Sequence, residues 1–376
     1  MELKNILSGI EGLKAKGNLS LDIKGISNDS REIKPGDLFI AVQGYEIDGH
    51  KFVDKAIENG ATAILVQEDM IKEIINKIPE NVALITAKDT REATAICACN
   101  FYDNPSRKMQ LIGVTGTKGK TTTTFMIKAI LEKQGIKTGL IGTIATYIGD
   151  KKIEDSDRTT PDSIHLQSYF AKMVEAGCKA CVMEVSSQGL KLHRVDGCDF
   201  NIGIFTNFSE DHISEKEHPD MEDYFNSKVK LFKMCEYGFI NIDDINTIKV
   251  PNLAPNCIIK TYGIDNECDL LAKDITITNS YADFKVKING KNERIKIDIP
   301  GRFSVYNSLA AILVAEKLGC SVENIKSALE TVKVPGRSEL VDNKLGLTIM
   351  IDYAHSPESL ESILQAVKSY TRGRVI

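Results

Sequence analysis

Residues 111–121 read Leu111-Ile112-Gly113-Val114-Thr115-Gly116-Thr117-Lys118-Gly119-Lys120-Thr121. An apolar, strand-like run passes directly into a glycine-rich turn, and residues 120–133 then carry the periodicity of a helix. Glycines let backbone N–H groups close around phosphate oxygens, and the helix N-terminus adds a favourable dipole. Lys120 can reach the β- and γ-phosphates, and the Thr121 hydroxyl can ligate Mg²⁺. The expectation is a Mg-ATP site at the carboxyl edge of an α/β sheet. The general phosphate-loop pattern has a glycine where this chain has Val114, so the loop is a variant. Thr121 to Thr124 are mediocre helix formers, better explained by a helix starting beneath phosphates than by packing.

Outward from the loop, strands and helices alternate: a strand over 138–141, a helix over 162–175, a strand over 180–185 and another over 202–205. This is the pattern of a mostly parallel sheet with helices on both faces. Upstream, strand-like 37–42, helix-like 52–59 and strand-like 63–66 suggest a small mixed α/β unit. The polar stretch Asp103-Asn104-Pro105-Ser106-Arg107 lacks an apolar period and reads as a linker, which sets domains at 1–107 and 108–334. Between 269 and 300 the period shifts toward two, with Asn289-Gly290 as a hairpin signal, before a helix over 304–318. After Val334-Pro335-Gly336-Arg337 a new unit opens with a strand over 347–351 and a helix over 357–369. Some 40 residues cannot bury a core of their own, so 335–376 is expected to be the start of an incomplete third domain.

The chain has 376 residues, which suits two or three domains, and its formal net charge of -5 argues against nucleic acid or an anionic membrane as a partner recognised by bulk charge. No run reaches the roughly 18 apolar residues of a membrane span, and the N-terminus lacks a signal-peptide pattern, so a cytoplasmic location is expected. Nine cysteines are scattered, and only Cys178-Lys179-Ala180-Cys181 has close spacing. Free, buried thiols are expected.

Two further segments bear chemistry. Glu184, in Met183-Glu184-Val185-Ser186-Ser187, ends a buried strand, where a carboxylate needs a partner or a metal to offset its desolvation. Asn207-Phe208-Ser209-Glu210-Asp211-His212 follows another apolar strand and delivers His212 to the same edge of the sheet.

Residues 115–122, ending in Thr122, resemble the ATP loop of the Mur ligase family, which also includes folylpolyglutamate synthetases. The resemblance extends along the chain and is nearest to the MurE type. It implies ATP contacts from Gly116, Thr117, Lys118, Gly119, Lys120, Thr121, Thr122, Asn307, Arg337 and Asp352, and Mg²⁺ ligands in Thr121, Glu184, His212 and a carbamylated Lys228. Lys228 lies in Tyr224-Phe225-Asn226-Ser227-Lys228; its free ammonium would repel Mg²⁺, whereas the carbamate is an anionic oxygen ligand. Lys120, Lys228, His212 and Glu184 form the implied catalytic set. Asn28, Ser30, Tyr45, Glu46 and Ile47 fall where the family contacts uridine and pyrophosphate, although Glu46 and Ile47 replace polar side chains often found there. Arg158, Thr159, Thr160, Ser186, Leu192 and Arg194 fall where it grips a muramoyl-dipeptide, with Arg158 and Leu192 departing from an asparagine and a glutamine of some relatives.

The implied architecture is a small N-terminal α/β domain, a central P-loop ATPase domain and the beginning of a Rossmann-like C-terminal domain. The implied activity is ATP-dependent ligation in peptidoglycan precursor synthesis, by a monomer. It would join a diamino acid, meso-diaminopimelate or L-lysine, to UDP-N-acetylmuramoyl-L-alanyl-D-glutamate. Two alternatives are a folylpolyglutamate-type ligase and a nucleotide-binding protein without ligase activity, the latter because the third domain is expected to be incomplete.

Overall fold

The central sheet runs in the order Leu270–Leu271, Ile258–Gly263, Cys235–Asn241, Phe200–Phe205, Gln110–Thr115, Ala180–Glu184, Thr138–Ile141, Ala145–Ile148, Lys151–Asp155. The chain is described from a computed structural model, which covers all residues except 45, 46, 342, 343, 345, 346, 355, 356 and 372. Strands from Leu270–Leu271 through Thr138–Ile141 pair in parallel, and the last two form an antiparallel extension. That extension is absent from the sequence-based expectation, because Lys151–Asp155 is mostly exposed and charged and carries little apolar signal.

Both faces of the sheet are covered. Ile112, Val114 and Val182 pack on Met126, Ile127 and Ile130 of helix Lys120–Lys133, and behind them on helix Arg302–Lys317. Leu111, Met183 and Phe205 face Leu166 and Phe170 of helix Ser163–Glu175 and Phe225, Val229 and Phe232 of helix Met221–Lys233. Each fully buried Leu, Ile or Phe contributes about 1.5–3 kcal/mol, so the sheet centre is a rigid base for the loops at its carboxyl edge.

The N-terminal sheet has the order Lys14–Lys16, Ala83–Ala87, Ala63–Gln67, Leu38–Ile40, Ile26–Ser27, parallel apart from the first pair. The expected helix over 52–59 is Val53–Glu58. The segment expected as a linker holds a tight helical turn, Pro105–Lys108, in which Pro105 and Ser106 are buried and Ser106 Oγ accepts from Asp199 N at 3.2 Å. Its contacts are long-range in sequence, which a search for local apolar periodicity does not detect.

Ala282–Ile288 and Lys291–Ile297 form the expected hairpin. Asn289 (φ +48°) and Gly290 (φ +81°) both adopt the left-handed conformation a two-residue hairpin loop requires. Glu339–Val341 pairs with Ile349–Ile351, so the strand expected over 347–351 begins two residues late, and helix Pro357–Tyr370 follows. All nine cysteines are free, and eight are buried, Cys178 and Cys181 included. Among the described residues no helix is long and apolar enough to cross a membrane.

Candidate active site

The glycine-rich turn is held from the neighbouring strand. Thr206 and Asn207, just past Phe200–Phe205, clamp its backbone: the Thr206 hydroxyl donates to Lys118 O at 2.6 Å, Asn207 Oδ1 accepts from Lys118 N at 2.9 Å, and Asn207 O accepts from Thr117 N at 2.9 Å. Gly116 has φ +142°, and a Cβ there would lie 2.0 Å from Thr206 Oγ1. Helix Lys120–Lys133 then starts with its N–H groups toward the turn, with Gly119 at φ +86° and Asn307 packed against it. Asn307 thus sits against the loop.

Lys120 Nζ donates to Gly116 O at 2.9 Å and Thr117 O at 3.0 Å. Burial holds its amine below the ordinary lysine range, against the raising effect of Glu184. Lys228 is 1% exposed; its Nζ donates to Gly116 O at 3.0 Å and lies 4.4 Å from the Tyr224 ring centroid. Burial, and then the charge of Lys120, push the Lys228 amine well below its ordinary value.

Glu184 is buried at its strand end and faces the loop after Thr138–Ile141. Its carboxylate accepts from Thr143 N at 2.9 Å and Thr143 Oγ1 at 3.0 Å. Thr143 also meets Thr159 Oγ1 at 3.1 Å. The Thr160 hydroxyl lies 3.0 Å from Glu184 O and 3.1 Å from Ser186 Oγ, and Arg194 Nη1 donates to Thr160 O at 2.9 Å. Thr159, Thr160, Ser186 and Arg194, 35 positions apart in sequence at the extremes (194 − 159), therefore converge beside Glu184. Leu192 ends the short helix Ser187–Lys191 in the same turn, while Arg158 is exposed.

His212 lies in the loop after Asn207 with φ +57°, a conformation that costs energy in a non-glycine residue and gathers at functional sites. Its Nδ1 is 2.7 Å from Glu217 Oε2. Because an ionised carboxylate only accepts, that contact leaves Nε2 of the neutral ring with its lone pair, the arrangement of a metal-ligating histidine. Asp211 pairs with Lys118 at 3.1 Å; burial raises its carboxyl, but the Lys118 hydrogen bond and positive charge outweigh this and hold it low.

Many of these groups border one cleft of about 880 Å³, although Thr160, Ser186, Leu192 and Arg194 are not among its lining residues. Its walls include Thr117 to Thr122, Thr159, Glu184, His212, Asn307, Arg337 and Asp352. Arg337 Nη2 donates to Thr121 Oγ1 at 3.4 Å, and Asp352 caps the turn that bears Arg337 by accepting from Ser338 N at 2.8 Å. Lys228 lies beneath the loop and reaches it through Gly116 O. Asn28, Ser30 and Ile47 are not among the residues lining this cleft: Ser30 is buried, Asn28 half-buried and Ile47 63% exposed. Tyr45 and Glu46 lie outside the described residues. Sequence reasoning assigned no role to Thr143, Thr206, Tyr224, His218 or Asp243, whose roles depend on partners far away along the chain. Asn207 could have been found as a polar residue just past a buried strand.

Residues 114–315 match the model of the Mur ligase middle domain, and residues 22–102 match that of the Mur ligase family catalytic domain. The chain belongs to the Mur ligase family. Among relatives of this Mur ligase, the Clostridium perfringens protein named UDP-N-acetylmuramoyl-L-alanyl-D-glutamate–2,6-diaminopimelate ligase is 44% identical over 382 residues, an alignment that takes in 100% of this chain and 77% of the relative. The Caldanaerobacter subterraneus protein of the same name is 45% identical over 377 residues, covering 100% and 76%. A solved structure of a ligase of that name superposes with a TM-score of 0.81 at 25% identity, over 98% of this Mur ligase and 74% of that chain.

Proposed function

We propose that this chain performs the diamino-acid-adding step of peptidoglycan precursor synthesis in the cytoplasm, as a monomer. In that step ATP drives amide formation between UDP-N-acetylmuramoyl-L-alanyl-D-glutamate and an amine, with meso-diaminopimelate favoured over L-lysine. The observation that carries the reading is the convergence of the phosphate loop, Lys120 and buried Glu184 on one cleft, with buried Lys228 beneath the loop and bonded to Gly116 O. The amine preference is supported by the names of the two relatives at 44% and 45% identity, which also disfavour a folylpolyglutamate-type ligase.

A carboxylate is a poor electrophile at neutral pH, so the D-glutamate oxygen first takes the γ-phosphoryl group of ATP and ADP leaves. The amine then attacks the acyl phosphate carbonyl and phosphate departs. Lys120 and the loop N–H groups would orient the phosphates and offset the crowding of negative charge. Arg194 would hold a substrate carboxylate, as its planar fork suits. Thr121, Glu184, His212 and carbamylated Lys228 offer mostly hard oxygen donors, a set that fits Mg²⁺, and the bound ion would neutralise charge developing on the transferred phosphoryl group. The N-terminal residues Asn28, Ser30, Tyr45, Glu46 and Ile47 would bind the UDP end.

Domains at 1–107, 108–334 and 335–376 suit this division of labour, and the matched spans 22–102 and 114–315 fall inside the first two. The test is ADP release from Mg-ATP, with and without the UDP-muramoyl-dipeptide and with each amine separately. Release that requires the dipeptide and one amine, and that Lys120→Ala suppresses far more than it weakens substrate binding, is expected. Release indifferent to the dipeptide would overturn the reading.

A further inference from the structure

Outside the catalytic set lies a fully buried histidine that the proposed chemistry does not use. His218 is 0% exposed and joins three segments. Its Nδ1 lies 2.6 Å from Asp223 Oδ2, in the first turn of helix Met221–Lys233, and its Nε2 lies 2.9 Å from Ser187 Oγ, at the start of helix Ser187–Lys191. Its carbonyl accepts from Ser214 N at 3.0 Å, which closes the loop that carries His212. Lys191 reinforces the junction, donating to Asp223 Oδ2 at 2.7 Å and to Glu217 O at 3.0 Å.

The chemistry assigns the proton positions. Ionised Asp223 only accepts, so Nδ1 carries hydrogen; in the neutral ring Nε2 then accepts from the Ser187 hydroxyl. Burial favours that neutral ring against the opposing pull of Asp223. One side of the ring is therefore tied to the helix of Lys228, and the other to the turn in which Ser186 Oγ accepts from Gly189 N at 3.0 Å and Arg194 reaches Thr160.

We propose that His218 is a positioning residue for the muramoyl-dipeptide: through Ser187 it holds the Ser186–Arg194 turn in register with the helix that bears Lys228. The proposal rests on the functional reading above. Its effect falls on the dipeptide rather than on the nucleotide, because the Ser187 contact lies on the side of the Ser186–Arg194 turn, whereas the phosphate loop is held by Thr206, Asn207 and Lys228.

The experiment is calorimetric binding by the full chain of UDP-N-acetylmuramoyl-L-alanyl-D-glutamate and, separately, of Mg-ADP. Ser187→Ala removes the donor to Nε2. His218→Asn offers its amide N–H to Asp223 but leaves Ser187 without an acceptor. Losing one net hydrogen bond predicts about fivefold weaker dipeptide binding in each variant, with Mg-ADP affinity unchanged. The double variant should be no worse than either single one, because both remove the same contact. Ser187→Thr, which keeps the hydroxyl, should restore dipeptide affinity. Ser187→Ala keeps the test decisive if His218→Asn fails to fold. Unchanged dipeptide affinity, equal loss of both ligands or additive losses would overturn the proposal. An unaltered chain that binds Mg-ADP but not the dipeptide would overturn the functional reading itself.

Discussion

Lys120 and Lys228 donate to the same backbone oxygen, Gly116 O, at 2.9 and 3.0 Å. Burial first, and then the charge of Lys120, drive Lys228 well below the ordinary lysine value and toward the neutral amine. A neutral amine is the form that attacks CO₂, so the position suits carbamylation at physiological pH. With ¹³C-bicarbonate, the unaltered chain should show a carbamate carbon resonance that Lys228→Met lacks. The same resonance in both would move the carbamate elsewhere, and none in either would remove Lys228 from the metal ligands.

Gly116 offers a second test, because its backbone meets the neighbouring strand end with no room for a side chain. An added Cβ would fall 2.0 Å from Thr206 Oγ1 and 3.1 Å from Asn207 O, at φ +142°. Gly116→Ala should cost about 1–3 kcal/mol in strain, hence about fivefold to 150-fold in Mg-ATP affinity where the loss falls on the loop. Native ATP affinity in that variant would show that Thr206 can move aside without cost.

What was legible in the sequence was what is local in it. The phosphate loop announces itself because strand, glycines, lysine and helix start follow one another, and Glu184 because it ends an apolar run. Asn289-Gly290 marked its hairpin through backbone conformation alone. The partners that set these groups were not legible: Thr143 meets Glu184 41 residues away, Asn207 meets Lys118 89 residues away and His218 meets Ser187 31 residues away. Such pairings follow from strand order, which no local period encodes. The turn within the 103–107 segment was hidden for the same reason, since Ser106 finds its partner, Asp199, 93 residues on.

Asp243 borders the cleft and gathers donors from elsewhere: Oδ2 accepts from Ile264 N at 2.6 Å and Tyr306 Oη at 2.9 Å, and Oδ1 from Asn266 N at 3.0 Å. Burial raises this carboxyl, but the donors, backbone N–H groups first, outweigh it and hold the pKa below the ordinary carboxylate value. A depressed folded pKa contributes stability above the unfolded value of about 3.9, and that stability is lost as pH falls through the folded pKa. Asp243→Asn should therefore cost about 1.5–3 kcal/mol at neutral pH, with a smaller difference in acid, measured by denaturant unfolding. A constant difference across that range would mean the carboxylate charge is irrelevant there.

Arg337 joins the 335–376 segment to the nucleotide site. Its guanidinium carbon lies 4.5 Å from the Tyr353 ring centroid while Nη2 reaches Thr121 Oγ1. Stacking fixes the plane of the fork, so one edge can face Thr121 and the cleft without first losing side-chain freedom. Lysine keeps the charge but has neither the plane nor the fork. Arg337→Lys should therefore lose about 0.5–2 kcal/mol, or about twofold to thirtyfold in Mg-ATP affinity by calorimetry. Tyr353→Ala should weaken binding in the arginine background and much less in the lysine background, because the ring acts through the guanidinium. Equal losses in both backgrounds would mean Tyr353 acts independently of Arg337, and no loss on Arg337→Lys would detach this segment from nucleotide binding.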